Sequence, residues 1–175
     1  MTAAVVTLIG LMGAGKSRVG RTAAEELGRP FIDTDALVAA HAGRPVSEIF
    51  ATEGEAAFRK LERAAVAEAV TTPGAVVSVG GGAVLDRTNV ERMREAGPVL
   101  WLYAEPATLV VRLQNSLRRG DRPLLSSSDP LEVLTDLLAR RRAAYTAAAS
   151  ATLATDGLEV RESADLLAGW IREHT

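Results

Sequence analysis

Cysteine is absent from this chain of 175 residues. No disulfide and no thiolate metal site can form, a composition compatible with a reducing compartment. Long apolar runs are missing too: none reaches the ~18 residues that a membrane-spanning helix needs. The start, Met1 to Gly10, carries no basic stretch and no small-residue cleavage motif. Neither a signal peptide nor a membrane partner is therefore expected, and the expected location is the cytoplasm. Excess positive charge is lacking as well. The formal net charge is −2, whereas nucleic-acid binders usually show a basic domain or stripe, so nucleic acid is not an expected partner. Lysine itself is scarce: of 20 lysines and arginines only Lys16 and Lys60 are lysine. In a chain that writes nearly every cation as arginine, a lysine inside a motif points to a need for its compact ammonium.

What is present is a 47% apolar content, enough to build the core of one domain at the usual ~100–200 residues. Residues 1–175 are read as that single domain. Short, partly β-branched runs at Ala4–Ile9, Phe31–Asp33, Ala75–Val79, Val99–Tyr103 and Thr152–Thr155 read as buried strands. Helical patterns lie between them, and strands alternating with helices imply parallel βαβ units. A first helix over Lys16 to Leu27 is stopped by Gly28 and Pro30. Glu53–Thr71 reads as a long helix with Phe58, Leu61 and Ala65 on one stripe. Thr88 and Glu91 stand at capping-box spacing ahead of a helix ended by Gly97-Pro98. Asp129-Pro130 opens another, and the last is expected over about Ser163–Glu173.

Gly10–Ser17 reads G-L-M-G-A-G-K-S and satisfies G-x-x-x-x-G-K-[ST] in full, between an apolar strand and a helix. Glycines at 10, 13 and 15 let the backbone wrap closely and turn its N–H groups inward. Those groups and the helix N-terminus make a positive cradle for phosphate. The cradle predicts ATP as the nucleotide, held by Gly13, Ala14, Gly15, Lys16, Ser17 and Arg18. Lys16 is expected to reach the β- and γ-phosphates, and Ser17 to offer its hydroxyl to Mg²⁺.

Asp33-Thr34-Asp35 stands where the second strand ends, the edge at which open α/β sheets bind ligands. On extended chain the two carboxylates share one side, one for Mg²⁺ and one for a substrate hydroxyl. The plainer alternative makes one of them a helix cap. Gly80-Gly81-Gly82 follows the third strand and exposes backbone amides. That strand has no carboxylate at its end, so Ser78 is its nearest polar group and the metal site leans on Ser17 and Asp33. Arg59 has Glu62 one turn on, and its plain reading is a surface ion pair worth only ~0.2–0.5 kcal/mol. Arg122-Pro123-Leu124-Leu125 closes a basic stretch, and residues from about 118 to 129 are expected to form a lid loop over ATP.

Together these pieces resemble shikimate kinase, over nearly the whole chain and in order. Gly10–Ser17 resembles that family's P-loop, Asp33–Asp35 its D-T-D, Phe58-Arg59 its F-R, Gly80–Gly82 its G-G-G and Arg122–Leu125 its R-P-L-L. The later R-x-P-L-Y is matched in part: Arg141 stands four residues before Tyr145, with Arg140 and Arg142 as alternatives in register, and Ala143 and Ala144 replace the Pro and Leu. The adenine-contacting arginine is left open among Arg112, Arg118 and Arg119. The resemblance implies an α/β P-loop kinase fold: a five-stranded parallel sheet in order 2-3-1-4-5, flanked by helices. It implies transfer of a phosphoryl group from ATP to the 3-hydroxyl of shikimate by a monomeric enzyme. Lys16, Asp35 and Arg122 would be catalytic, while Arg59, Arg141, Asp35 and Gly80–Gly82 would hold the substrate. Another small-molecule kinase of this architecture, gluconate-kinase-like, is the near rival. A GTPase-type switch is the distant one, and the chain lacks its N-K-x-D.

Overall fold

Three central segments carry almost no polar side chains, and they form the middle of the sheet. The computed structural model describes residues 3–119 and 129–175. β1 (Val6–Ile9), β3 (Val76–Ser78) and β4 (Val99–Tyr103) are buried almost throughout, as expected of strands covered on both faces. β2 (Phe31–Asp33) and β5 (Ala151–Ala154) are the edges, and β5 alternates half-buried with exposed residues. The order is β2-β3-β1-β4-β5, with every neighbouring pair parallel.

α1 (Lys16–Leu27) ends at Gly28, whose φ of 63° lies in the left-handed region. α2 (Thr34–Ala42) starts directly after β2, so Thr34 and Asp35 stand in its first turn. The expectation of an extended Asp33–Asp35 is thereby corrected: Asp33 ends the strand and caps the helix, its Oδ1 accepting from the backbone N–H of Asp35 and Ala36 at 3.0 and 3.3 Å. α3 (Val46–Ala69) begins earlier than expected and is broken at Gly54, with φ 80° and ψ 178°. α4 (Arg87–Ala96) is capped by Asp86, which accepts from the Thr88 N–H at 2.9 Å. Thr88 and Glu91 therefore form no capping box; Glu91 pairs with Arg87 at 2.8 Å. α5 (Pro106–Arg119) stays helical through Arg118 and Arg119, where a loop was expected to have begun.

α6 (Pro130–Ala148) opens as expected on Asp129, which accepts from the Leu131 N–H at 2.9 Å. α7 (Val160–His174) begins three residues before the expected start and packs on α1, where Arg172 meets Glu26 at 2.6 Å. The main core surrounds the central strands. A small separate cluster of Val38, Ile49, Phe58 and Ala65 joins α2 to α3.

Candidate active site

The turn after β1 needs glycine for two physical reasons. Gly10, Gly13 and Gly15 have φ of 143°, 81° and 95°, values that side chains disfavour. A Cβ on Gly10 would also collide with the Leu102 carbonyl of β4. The loop delivers α1 with no side-chain cap and no acidic residue in its first turn. Its leading N–H groups and positive dipole end are thus open to an anion. Ala14 is buried, with its N–H donating to the Leu11 carbonyl at 3.2 Å, while Arg18 is exposed. The Lys16 ammonium donates to the carbonyls of Gly10 at 2.8 Å and Leu11 at 3.0 Å.

Next to this cradle the strand register does the placing. Asp33 pairs with Ser78 across β2 and β3, and the Ser17 hydroxyl lies 2.5 Å from Asp33 Oδ2 and 3.4 Å from Ser78 Oγ. Asp33 divides its oxygens: Oδ1 caps α2, and Oδ2 faces Ser17. The cap reading of this aspartate holds, and its second oxygen is left facing Ser17.

The triglycine is where the remaining candidates converge. A side chain there would crowd its neighbours. A Cβ on Gly80 would stand 2.5 Å from Glu62 Oε1 and 3.2 Å from Asp35 Oδ1. One on Gly82 would stand 2.5 Å from the Arg59 guanidinium. One on Gly81 would stand 3.2 Å from the Gly10 carbonyl and 3.3 Å from an Arg141 nitrogen. Since Lys16 holds that same Gly10 carbonyl, the phosphate cradle and the triglycine meet at the backbone of Gly10 and Gly81.

Arg59 bonds Glu62 at 2.7 Å and Glu55 at 2.9 Å and lies over the Phe58 ring. Burial works against its charge, and these carboxylates more than offset it, leaving the guanidinium more basic than usual. Glu62 is only 1% exposed, so the pair is not the surface contact its spacing suggested. Burial pushes the Glu62 carboxyl up, with Arg59 pulling it down and Asp35 adding to the rise. Among the described residues its Oε1 has no hydrogen-bond partner. Sequence reasoning treated Glu62 only as the partner of Arg59. The available signal was its place on the buried stripe of Phe58, Glu62, Ala65, Val66 and Ala69, where a carboxylate is out of character.

The fold also separates the three consecutive arginines of α6. Arg140 is 78% exposed and reaches out toward Asp136. Arg142 lies over the Tyr103 ring. Arg141 is half-buried and turns to Gly81. Tyr145, one turn on, is fully buried and donates to the Gly81 carbonyl at 2.6 Å. Burial pushes its phenol up to about 12, with Arg141 pulling the other way. Arg112 donates to the Thr155 hydroxyl at 2.9 Å and to its carbonyl, beside the end of β5. Arg122 and the expected lid, apart from its helical start and Asp129, lie outside the described residues, as do the side chains of Arg118 and Arg119.

Comparison with known proteins bears on the family and the fold. The sequence model of the shikimate kinase family matches residues 12–172. The chain is 52% identical to a shikimate kinase of Symbiobacterium thermophilum over 86% of each protein. It is 43% identical to one of Moorella thermoacetica over 97% of this chain and 98% of the relative. Its fold superposes on the shikimate kinase of Acinetobacter baumannii in complex with shikimate, with a TM-score of 0.90 and 35% identity. That match covers 98% of this chain and 94% of the other.

Proposed function

The chain belongs to the shikimate kinase family, and on that premise we propose how its own residues transfer a phosphoryl group from ATP to the 3-hydroxyl of shikimate. The observation that carries the assignment is the convergence of Asp35, Arg59 and Arg141 on Gly80–Gly82, against the backbone of the phosphate loop.

Shikimate carries one carboxylate and three hydroxyls. Arg59 and Arg141 approach the triglycine from α3 and α6, and their planar forks suit a carboxylate. The amides of Gly80–Gly82 approach without side chains in the way. Asp35 receives the 3-hydroxyl. In the transfer, the hydroxyl oxygen bonds to the γ-phosphorus, the bond from phosphorus to the bridging oxygen breaks, and ADP leaves with that electron pair. The hydroxyl proton passes to Asp35. Lys16, and Arg122 on the strength of its sequence motif alone, neutralise charge on the transferring group. Positioning and fixed electrostatics supply most of the acceleration in such transfers.

The nucleotide phosphates lie on the amides of Gly13, Ala14, Gly15, Lys16, Ser17 and Arg18. Arg112 is our candidate for the adenine side, because α5 covers the phosphate loop through Leu109 and Leu113 near Gly13. Mg²⁺ fits the hard oxygen set of the Ser17 hydroxyl and the Asp33 carboxylate, since this ion takes one or two protein oxygens plus substrate phosphates. When bound, it offsets charge on the β- and γ-phosphate oxygens. Among the described residues no helix is long and apolar enough to cross a membrane. We adopt a cytoplasmic location from composition and a monomer from the family resemblance.

ADP release measured with and without shikimate tests the reaction, and Asp35→Asn tests the base. This variant keeps the shape and removes the proton acceptor. It should lower kcat by ~10²–10⁴-fold while the ATP KM is nearly kept. A loss below about tenfold would return Asp35 to a purely structural place at the start of α2.

A further inference from the structure

Tyr145 has no part in the assignments above, yet it is fully buried and held on two sides. Its ring stacks on Trp101 of β4, with centroids 5.3 Å apart and planes 24° from parallel. Its hydroxyl donates to the Gly81 carbonyl at 2.6 Å. A buried phenol needs a partner, and this one is the backbone of a segment that has no side chains of its own to anchor it. The other two triglycine carbonyls are already taken: Gly80 accepts from the Ala83 N–H and Gly82 from the Leu85 N–H, both at 3.0 Å. With Tyr145 on the middle one, all three carbonyls are tied down.

A peptide unit is planar and trans, so holding its carbonyl also fixes its N–H, which points the opposite way. The Gly81 carbonyl and the Gly82 N–H share one such unit. A hydroxyl on one side thus aims an amide on the other side. The same side chain lies one helical turn after Arg141, so it also sets how far α6, and with it the Arg141 guanidinium, stands from Gly81.

We propose that Tyr145 is a positioning residue for the acceptor: its hydroxyl bond to the Gly81 carbonyl orients the Gly82 amide and fixes the distance of Arg141 from the triglycine. This rests on the reading that Gly80–Gly82 and Arg141 receive shikimate. The nucleotide side meets this segment at the Gly10 carbonyl, which has its own support. The phosphate loop is shaped by its own glycines and by β4, and Lys16 holds the Gly10 carbonyl.

Tyr145→Phe keeps the ring and its stack on Trp101 and removes only the hydroxyl. Steady-state kinetics on this variant should show the shikimate KM raised roughly tenfold, the scale of one lost buried hydrogen bond, with the ATP KM changed by less than about twofold. A general loosening of the fold would instead raise both constants together, and that outcome overturns the proposal, as does an unchanged shikimate KM. Arg141→Ala, assayed in parallel, separates two failures. If it raises the shikimate KM and Tyr145→Phe does not, the strut alone is wrong. If neither variant moves it, the acceptor site is misassigned and the strut falls with it. A binding readout covers the case in which turnover is too low to measure. In a Trp170→Phe background the remaining tryptophan is Trp101, stacked on Tyr145. Shikimate titrated without ATP should change its emission, with a midpoint shifted roughly tenfold by Tyr145→Phe. An unshifted midpoint overturns the proposal.

Discussion

Arg59 stands in a ring of charge that makes its geometry matter more than its sign. It is 26% exposed and meets Glu62, Glu55 and the space above Gly82. Lysine at this position would keep the charge and lose the planar fork. Arg59→Lys should therefore weaken shikimate binding by about 2 kcal/mol, the lower end for leaving a buried charge pair mismatched. Isothermal titration with shikimate and with its methyl ester checks this. Wild type should discriminate strongly against the ester, and the variant much less; equal binding of acid and ester by wild type would refute the clamp. Glu62 calls for a different test. Burial raises its carboxyl above the ordinary value, so the folded state holds its proton to higher pH than the unfolded state does. Between the unfolded value near 4.5 and the raised folded value, folding takes up a proton. Stability from this group is then present below the lower value and lost as pH rises through the upper one. Glu62→Gln cannot titrate. Urea unfolding across that window should show wild type losing stability relative to the variant, by at most about 1.4 kcal/mol per pH unit. A parallel pair of curves would mean that Glu62 titrates normally.

At the level of elements, α3 carries a backbone irregularity that bears on the site. Gly54 has φ 80° and ψ 178° inside the helix, and a Cβ there would meet nothing within 4 Å. The cost of any other residue is conformational rather than steric, because this region is essentially open to glycine alone. The break lets the first turns, with Ile49 and Phe50, fold over Phe58, whose ring lies 4.5 Å from that of Phe50. Arg59 follows directly. Gly54→Ala should reduce stability by about 1–3 kcal/mol in urea unfolding. It should also raise the shikimate KM while sparing the ATP KM, since the phosphate loop lies on α1. A stability change within about 0.5 kcal/mol, the level of an ordinary surface substitution, would show that the backbone relaxes at no cost.

For the whole molecule, burial is unevenly shared. Strands β1, β3 and β4 stand inside the large core, whereas α2 and the first half of α3 rest on Val38, Ile49, Phe58 and Ala65 with a few half-buried neighbours. Fewer buried contacts mean a lower free energy of local opening. Native-state hydrogen exchange should find the amides of α2 and early α3 exchanging well before those of the central strands. Saturating shikimate should slow the former selectively, because Arg59 and Asp35 belong to these two helices. Uniform protection across both regions would indicate that the molecule opens as a single unit.

The phosphate loop was legible in the sequence because its chemistry is local. Three glycines, one lysine and one serine within a single turn define both the backbone path and the charge, and α1 formed over the expected span. The sheet order was implied by family resemblance, and the apolar runs located each strand to within a residue or two. The capping of α4 was misplaced by two residues because the capping-box spacing of Thr88 and Glu91 drew attention from Asp86, the stronger cap that the chain uses. Other features could not be read locally. Arg141 differs from Arg140 and Arg142 only by where a helix turn points once α6 packs on β4. The depth of Glu62 depends on Gly80, just past β3, leaving room for its carboxyl, and the bond from Tyr145 to Gly81 joins residues 64 positions apart. Short-range pattern determined which groups the chain possesses for this chemistry. Long-range packing decided which of them face one another, because the direction of a side chain is set by neighbours that are distant in sequence.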